Sequence, residues 1–186
     1  MRLFVAVNLP AEVREGIWEA AAPLREHDFP VRWVKPDALH ITLKFLGEVQ
    51  GERLDEIVRA VEAATVGARP FALPIADFGA FPSPARPRVV WAGCDGVPPL
   101  ELLQDRVERE MGRLGFEIEG RPFRPHVTLG RAKRGARARD FAGFDDLLEG
   151  LTFQAEPLVR SLDVMQSTLS PRGARHEVRH VAELAA

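Results

Sequence analysis

The chain repeats itself at an offset of 86 residues, the separation of His40 and His126. At that shift Arg2 to Ala6 falls on Arg88 to Ala92, one helix-patterned stretch falls on another, and Pro36 falls on Pro122. His40-Ile-Thr42-Leu43 then falls on His126-Val-Thr128-Leu129. Other identities are few, Glu15 with Glu101 and Asp77 with Asp163 among them. The order of elements, more than identity, marks a duplication. Two such units predict two similar lobes about a pseudo-twofold axis, with the His-x-Thr strands facing one another across the junction. A cleft at such a junction is a natural place for a ligand.

Hydrophobic periodicity supplies the elements. Strands are expected at 2–8, 31–34, 39–46, 71–78, 88–94, 123–130, 158–169 and 176–184. Helices are expected at 11–25, 52–66 and 99–114, with a weaker one near 141–148. The second helix should bury Leu54, Ile57, Val58 and Val61, and the third Leu102, Leu103, Val107, Met111 and Leu114. Phe81 to Pro87, with Pro82, Pro84 and Pro87, reads as a loop. Strands alternating with helices indicate an α/β or α+β domain. No low-complexity linker divides residues 1–186, which are read as one bilobal domain.

Composition removes several classes. The single cysteine, Cys94, excludes an intrachain disulfide framework and a zinc site of two or more thiolates. No apolar run is long enough for a membrane span, and the first ten residues lack a cleavable leader pattern, so a cytoplasmic protein without membrane association is expected. A net charge of −2 argues against a globally basic nucleic-acid binder. Its distribution is uneven. Arg121, Arg124, Arg131, Lys133, Arg134, Arg137 and Arg139 place +7 in one run without an acidic residue, which leaves −9 for the rest of the chain. That run reads either as a solvated loop or as a track for an RNA backbone. No helix shows a second apolar face, so a monomer is expected.

Strand alternation places His40, Thr42 and Lys44 on one face, and Ile41, Leu43 and Phe45 on the other. Phe45 is therefore expected in the core. His126 and Thr128 repeat the pattern, with Arg131 on the opposite face unless the strand bends at Gly130. Two imidazoles of ordinary pKa near 6.5 can serve as general acid and general base at neutral pH without a metal. Threonine hydroxyls two residues away can donate to an anion between them. That set suits phosphoryl chemistry, in which the protein positions groups and stabilises spread charge. Phe4, Trp33, Phe81 and Phe123 are candidate base-stacking platforms, with core packing as the competing role.

His40 to Gly47 and His126 to Arg131 resemble the paired signature of the two-histidine (2H) phosphoesterases, and within them the RNA 2′,3′-cyclic phosphodiesterases, long called 2′-5′ RNA ligases. Arg2 to Ala6 is similar to the family's first strand, Trp33-Val34 and Phe123-Arg-Pro precede the two motifs, and Gln166 to Gly173 resembles its closing strand and turn. His176 departs from a tyrosine common in the family. The resemblance implies an α+β bilobal fold, with two pseudo-symmetric lobes of antiparallel strands, flanking helices and a central cleft. It implies metal-independent hydrolysis of RNA 2′,3′-cyclic phosphate ends, tRNA fragments among them, to 2′-phosphomonoesters, and the reverse 2′-5′ ligation. His40 would be the proton donor and His126 the proton acceptor. Thr42 and Thr128 would bind phosphate, and Arg131 is a further candidate. No cofactor or metal is implied.

Two other classes carry the same residues. A non-catalytic RNA-end binding module needs the same cleft. His176-Glu-Val-Arg-His180 also matches the H-E-x-x-H string of zinc peptidases, which works on a helix, whereas this segment is expected to be a strand.

Overall fold

A computed structural model describes residues 1–185. The chain opens with β1 (Arg2–Asn8), α1 (Ala11–Ala20), α2 (Ala22–Arg25), β2 (Val31–Trp33), β3 (His40–Glu48) and α3 (Leu54–Thr65). It continues with β4 (Phe71–Ala72), β5 (Ile75–Ser83), β6 (Arg86–Cys94), α4 (Pro98–Arg113) and β7 (His126–Ala132). The last elements are α5 (Phe144–Glu149), β8 (Gln154–Ala155), β9 (Leu158–Val159), β10 (Ser161–Ser170) and β11 (Gly173–Glu183). Nine strands form one sheet in the order β11-β10-β1-β3-β7-β6-β5-β8, with β2 added alongside β7, and β4 pairs with β9. Every pairing among these strands is antiparallel. This is the α+β class.

The offset of the repeat reappears in space, with one exchange. β5 and β10 are equivalent under it. β5 pairs with β6 in the second half of the sheet, while β10 pairs with β1 in the first. β5 of the first unit thus joins the second half of the sheet, and β10 of the second unit joins the first. β4 and β9, also equivalent, pair with each other. The two halves join where β3 meets β7, and their only registered pair there is Ile41 with Val127.

Alternation sorts the sheet's faces. Leu3, Val5, Val7, Ile41, Val90, Ala92 and Val127 lie in the main core with Ile57 and Val61 of α3 and Leu103 and Val107 of α4. Phe4, Ala6 and Met165 form a separate small cluster on the other face. α4 buries Leu100 and leaves Leu102 51% exposed, a one-position correction to the expected stripe.

Two expected segments change form. The helix at 11–25 breaks at Ala21, because Pro23 has no N–H to continue the ladder and its ring crowds the carbonyl four residues back. The proline-rich loop at 81–87 is instead the end of the β5–β6 hairpin, with Pro82 opposite Pro87. Those prolines lie beyond the last β6–β7 pair, Val89 with Arg131, where no third strand needs their missing donors. No described helix is long and apolar enough to cross a membrane.

Candidate active site

The sole β3–β7 pair sits at the centre of both motifs. His40 and Thr42 flank Ile41, and His126 and Thr128 flank Val127. Continuing that antiparallel register sets His40 beside Thr128 and Thr42 beside His126, all on the face away from the main core. The diagonal spacing of the two histidine Cα atoms is then about 8 Å, room for a tetrahedral anion between the rings.

Matching bulges shape the rest of the face. On β3, Val5 faces Lys44 and Ala6 faces Thr42, leaving Leu43 extra; on β7, Val90 faces Gly130 and Trp91 faces Thr128, leaving Leu129 extra. Each bulge resets the alternation, so residues three beyond Thr42 and Thr128 return to the histidine face. Arg131 is exposed on that face, as the bend at Gly130 allows. Gly130 is packed closely enough that a Cβ there would lie 2.6 Å from Val31 Cγ1.

The equivalent bulge on β3 overturns two expectations. Phe45 is not core. It is 62% exposed and packs on Phe4 with ring centroids 5.9 Å apart. Lys44 does not share the face of His40. It is buried, with Nζ 2.8 Å from Glu108 Oε2 and donating to the Glu117 carbonyl at 2.7 Å.

A common device aims the two imidazoles. His40 Nδ1 is 2.8 Å from the Ala38 carbonyl, and His126 Nδ1 is 2.8 Å from the Arg124 carbonyl, in each case two residues upstream. A carbonyl can only accept, so Nδ1 carries the proton and Nε2 is the working nitrogen of both rings. The Thr42 hydroxyl donates to His40 Nε2 at 2.9 Å. These orienting carbonyls left no side-chain signal in the sequence.

The environments of the two rings differ. Burial lowers the His40 pKa from 6.5 to about 4; its bond to Ala38 opposes this, and the charges of His176, Arg131 and His126 add to the depression. The expectation of two ordinary imidazoles is therefore corrected for His40, which is neutral at pH 7 in the empty cleft. His40 rests on Phe4 at 4.9 Å and meets the edge of His176 at 5.2 Å. His126 packs edge-on against Phe81 at 5.3 Å, and Phe81 rests on Trp91 at 5.2 Å. Phe4 and Phe81 thus support histidines, while Trp33 and Phe123 pack against the main core.

The H-E-x-x-H string lies on β11. Val164 pairs with His180 and Met165 with Val178, so Arg179 is bulged. His176 consequently meets Phe4 and His40 on the cleft face, whereas His180 Nε2 lies 2.9 Å from Glu62 Oε1 of α3. The two rings point to opposite faces, unlike the shared face such a string has on a helix. Among the described residues no three His, Cys, Asp or Glu side chains converge as metal ligands.

The basic run divides as well. Arg131 reaches the cleft, whereas Arg137 lines a separate pocket of about 430 Å³ at the hairpin end with Arg86, Arg88 and Phe141, apart from the histidines.

The comparisons with known proteins agree with this geometry. The model of the LigT-like phosphoesterase family matches residues 7–91 and 95–175. The chain is 36% identical over 183 residues to an RNA 2′,3′-cyclic phosphodiesterase of Archaeoglobus fulgidus, covering 98% of this chain and 100% of that protein. A crystal structure from Thermus thermophilus superposes with a TM-score of 0.83 at 28% identity, covering 99% of this chain and 98% of that one. Escherichia coli LigT complexed with 3′-AMP superposes with a TM-score of 0.79 at 28% identity, covering 100% and 98%. With both repeats matched and the paired histidine strands at the centre of one sheet, this chain belongs to the LigT-like family of 2H phosphoesterases.

Proposed function

We propose that this protein hydrolyses RNA 2′,3′-cyclic phosphate ends to 2′-phosphomonoesters. The observation that carries this reading is the symmetric presentation of His40 Nε2 and His126 Nε2 about the Ile41–Val127 pair, each ring held by a carbonyl two residues upstream. The names of the relatives supply the substrate class. The whole chain acts as one bilobal unit, a monomer whose halves supply one histidine strand each.

In the productive complex the cyclic phosphate lies between the rings. Thr42 and Thr128 donate their hydroxyls to its non-bridging oxygens, and the exposed Arg131 guanidinium adds charge at the rim. The Thr42 hydroxyl, which caps His40 Nε2 in the empty site, turns to the phosphate and frees that nitrogen. The anion also offsets the burial and the neighbouring positive charges that keep His40 neutral, so Nε2 acquires a proton from solvent. His126 Nε2 takes a proton from water as its oxygen bonds to phosphorus. The P–O3′ bond breaks, and His40 Nε2–H protonates the departing 3′-oxygen. Exchange of protons with solvent restores both rings. The same groups with exchanged roles would join a cyclic-phosphate end to a 5′-hydroxyl through a 2′-5′ bond.

The test is product analysis with a nucleoside 2′,3′-cyclic phosphate and with an oligoribonucleotide bearing that end, resolving 2′- from 3′-phosphates. Turnover to the 2′-phosphate is expected, with a loss of at least about 100-fold in His40→Ala and in His126→Ala. Consumption of neither substrate by folded protein removes the enzyme reading and leaves the RNA-end binding module.

A further inference from the structure

The Ala38 carbonyl that aims His40 ends a single 3₁₀ turn, Pro36–Ala38. Such turns have poor hydrogen-bond geometry and hold little structure by themselves. This one is gripped from α1. Arg14 extends from that helix to the turn, where Nη1 donates to the Asp37 carbonyl at 3.1 Å and, at 3.5 Å, to the Pro36 carbonyl. Among the described residues these are the only acceptors this guanidinium meets, and no carboxylate pairs with it. The grip reaches the histidine through rigid amides. Leu39 N–H donates to the same Pro36 carbonyl at 3.1 Å, and that N–H shares one planar amide with the Ala38 carbonyl. Holding Pro36 and Asp37 therefore holds the direction of the oxygen that receives His40 Nδ1–H at 2.8 Å. Bonds from a guanidinium are charge-assisted and persist throughout the working pH range, because the group does not lose its proton. The second copy has no such brace. The offset of 86 brings Leu100 to the place of Arg14, and Leu100 is fully buried in the core. Residues 122–125 form neither helix nor strand, and among the described residues no side chain donates to the carbonyls of Pro122 or Phe123.

We infer that Arg14 is a positioning residue for His40, acting through the Pro36–Ala38 turn whose last carbonyl orients the imidazole. The inference rests on the phosphodiesterase reading, in which His40 Nε2–H must point at the departing 3′-oxygen. Arg14 makes no hydrogen bond to either imidazole, so its effect is on where the ring points. A misplacement of about 1 Å in a reacting group can cost on the order of 100-fold in rate. His126, aimed by the unbraced Arg124 carbonyl, is the internal control.

The test compares wild type with Arg14→Met, which keeps an unbranched apolar stem and removes the donors. In a catalytic arm, kcat and KM are measured with a nucleoside 2′,3′-cyclic phosphate. The variant should lose about tenfold or more in kcat, with KM changed by less than about twofold. In a spectroscopic arm, the tautomers of both imidazoles are read near neutral pH by nitrogen NMR of the histidine rings. Wild-type His40 should be the Nδ1–H tautomer. In Arg14→Met the His40 signals should shift toward Nε2–H while those of His126 stay in place. An unchanged kcat, a loss carried mainly by KM, or a His40 tautomer identical to that of wild type overturns the inference. So does an equal change at His126, which a general loosening of the fold would give. Arg14→Gln, too short to reach the turn, is read in the same way if Arg14→Met does not fold. The spectroscopic arm needs no turnover. A shift confined to His40, in a protein that consumes no cyclic phosphate, would retain the brace and remove the enzyme reading.

Discussion

His40 and His126 occupy equivalent places in the repeat, yet only His40 is packed between aromatic rings, Phe4 on one side and His176 on another. That asymmetry has two measurable consequences. The free-enzyme profile of kcat/KM should be bell-shaped, with one limb near pH 4 set by the ionisation of His40. Replacing His176 by Phe removes a neighbouring positive charge and should move that limb to higher pH, which a pH–rate series would detect. The second consequence concerns stability. The unfolded chain protonates this imidazole near pH 6.5 and the folded chain near 4, so between those values the unfolded state binds more protons and stability falls as pH falls. The loss approaches about 3 kcal/mol below pH 4 and is absent above pH 6.5. Urea unfolding across pH 4 to 7 should show a shallower slope for His40→Ala than for wild type. None of this was legible in the sequence, where both motifs read alike; the difference comes from Phe4 and His176, residues brought from two other strands.

At the level of elements, the paired bulges decide which side chains reach the cleft. Simple alternation places Lys44 beside His40 and Phe45 in the core; the extra residue Leu43 reverses both. The same shift at Leu129 carries Arg131 onto the cleft face. From sequence a bend at Gly130 is only a condition, because a bulge is a relation between two strands and has no pattern within one. Lys44, turned under the sheet, ties β3 to α4 through Glu108. Lys44→Met should therefore cost about 3–5 kcal/mol by leaving the Glu108 carboxylate buried without its cation, and Lys44→Met with Glu108→Leu should recover most of that loss. Denaturant titration of the three proteins tests it. The proline-rich run shows the complementary error: prolines that mark a loop in isolation are tolerated at a hairpin end lacking a third strand.

Across the whole molecule, the exchange of β5 and β10 means that neither contiguous half of the chain contains its own complete sheet. Residues 1–94 lack the β10–β11 hairpin that covers β1, and the remainder lacks β5 and β6 beside β7. The two halves expressed separately should each fail to give a cooperative thermal transition by circular dichroism, while the intact chain unfolds in one step. The sequence by itself determined the duplication, most of the element types, the recurrence of the His-x-Thr strand and the class of chemistry the two copies carry. Each of these is written in local periodicity or in a motif a few residues long. Only the tertiary structure decided which strands complete which half, the register that lifts Phe45 and Arg131, the carbonyls that aim the imidazoles, and the meeting of His176 with His40. Those features arise between segments up to more than a hundred residues apart, where packing and hydrogen-bond register between strands select one arrangement that no single stretch of the chain encodes.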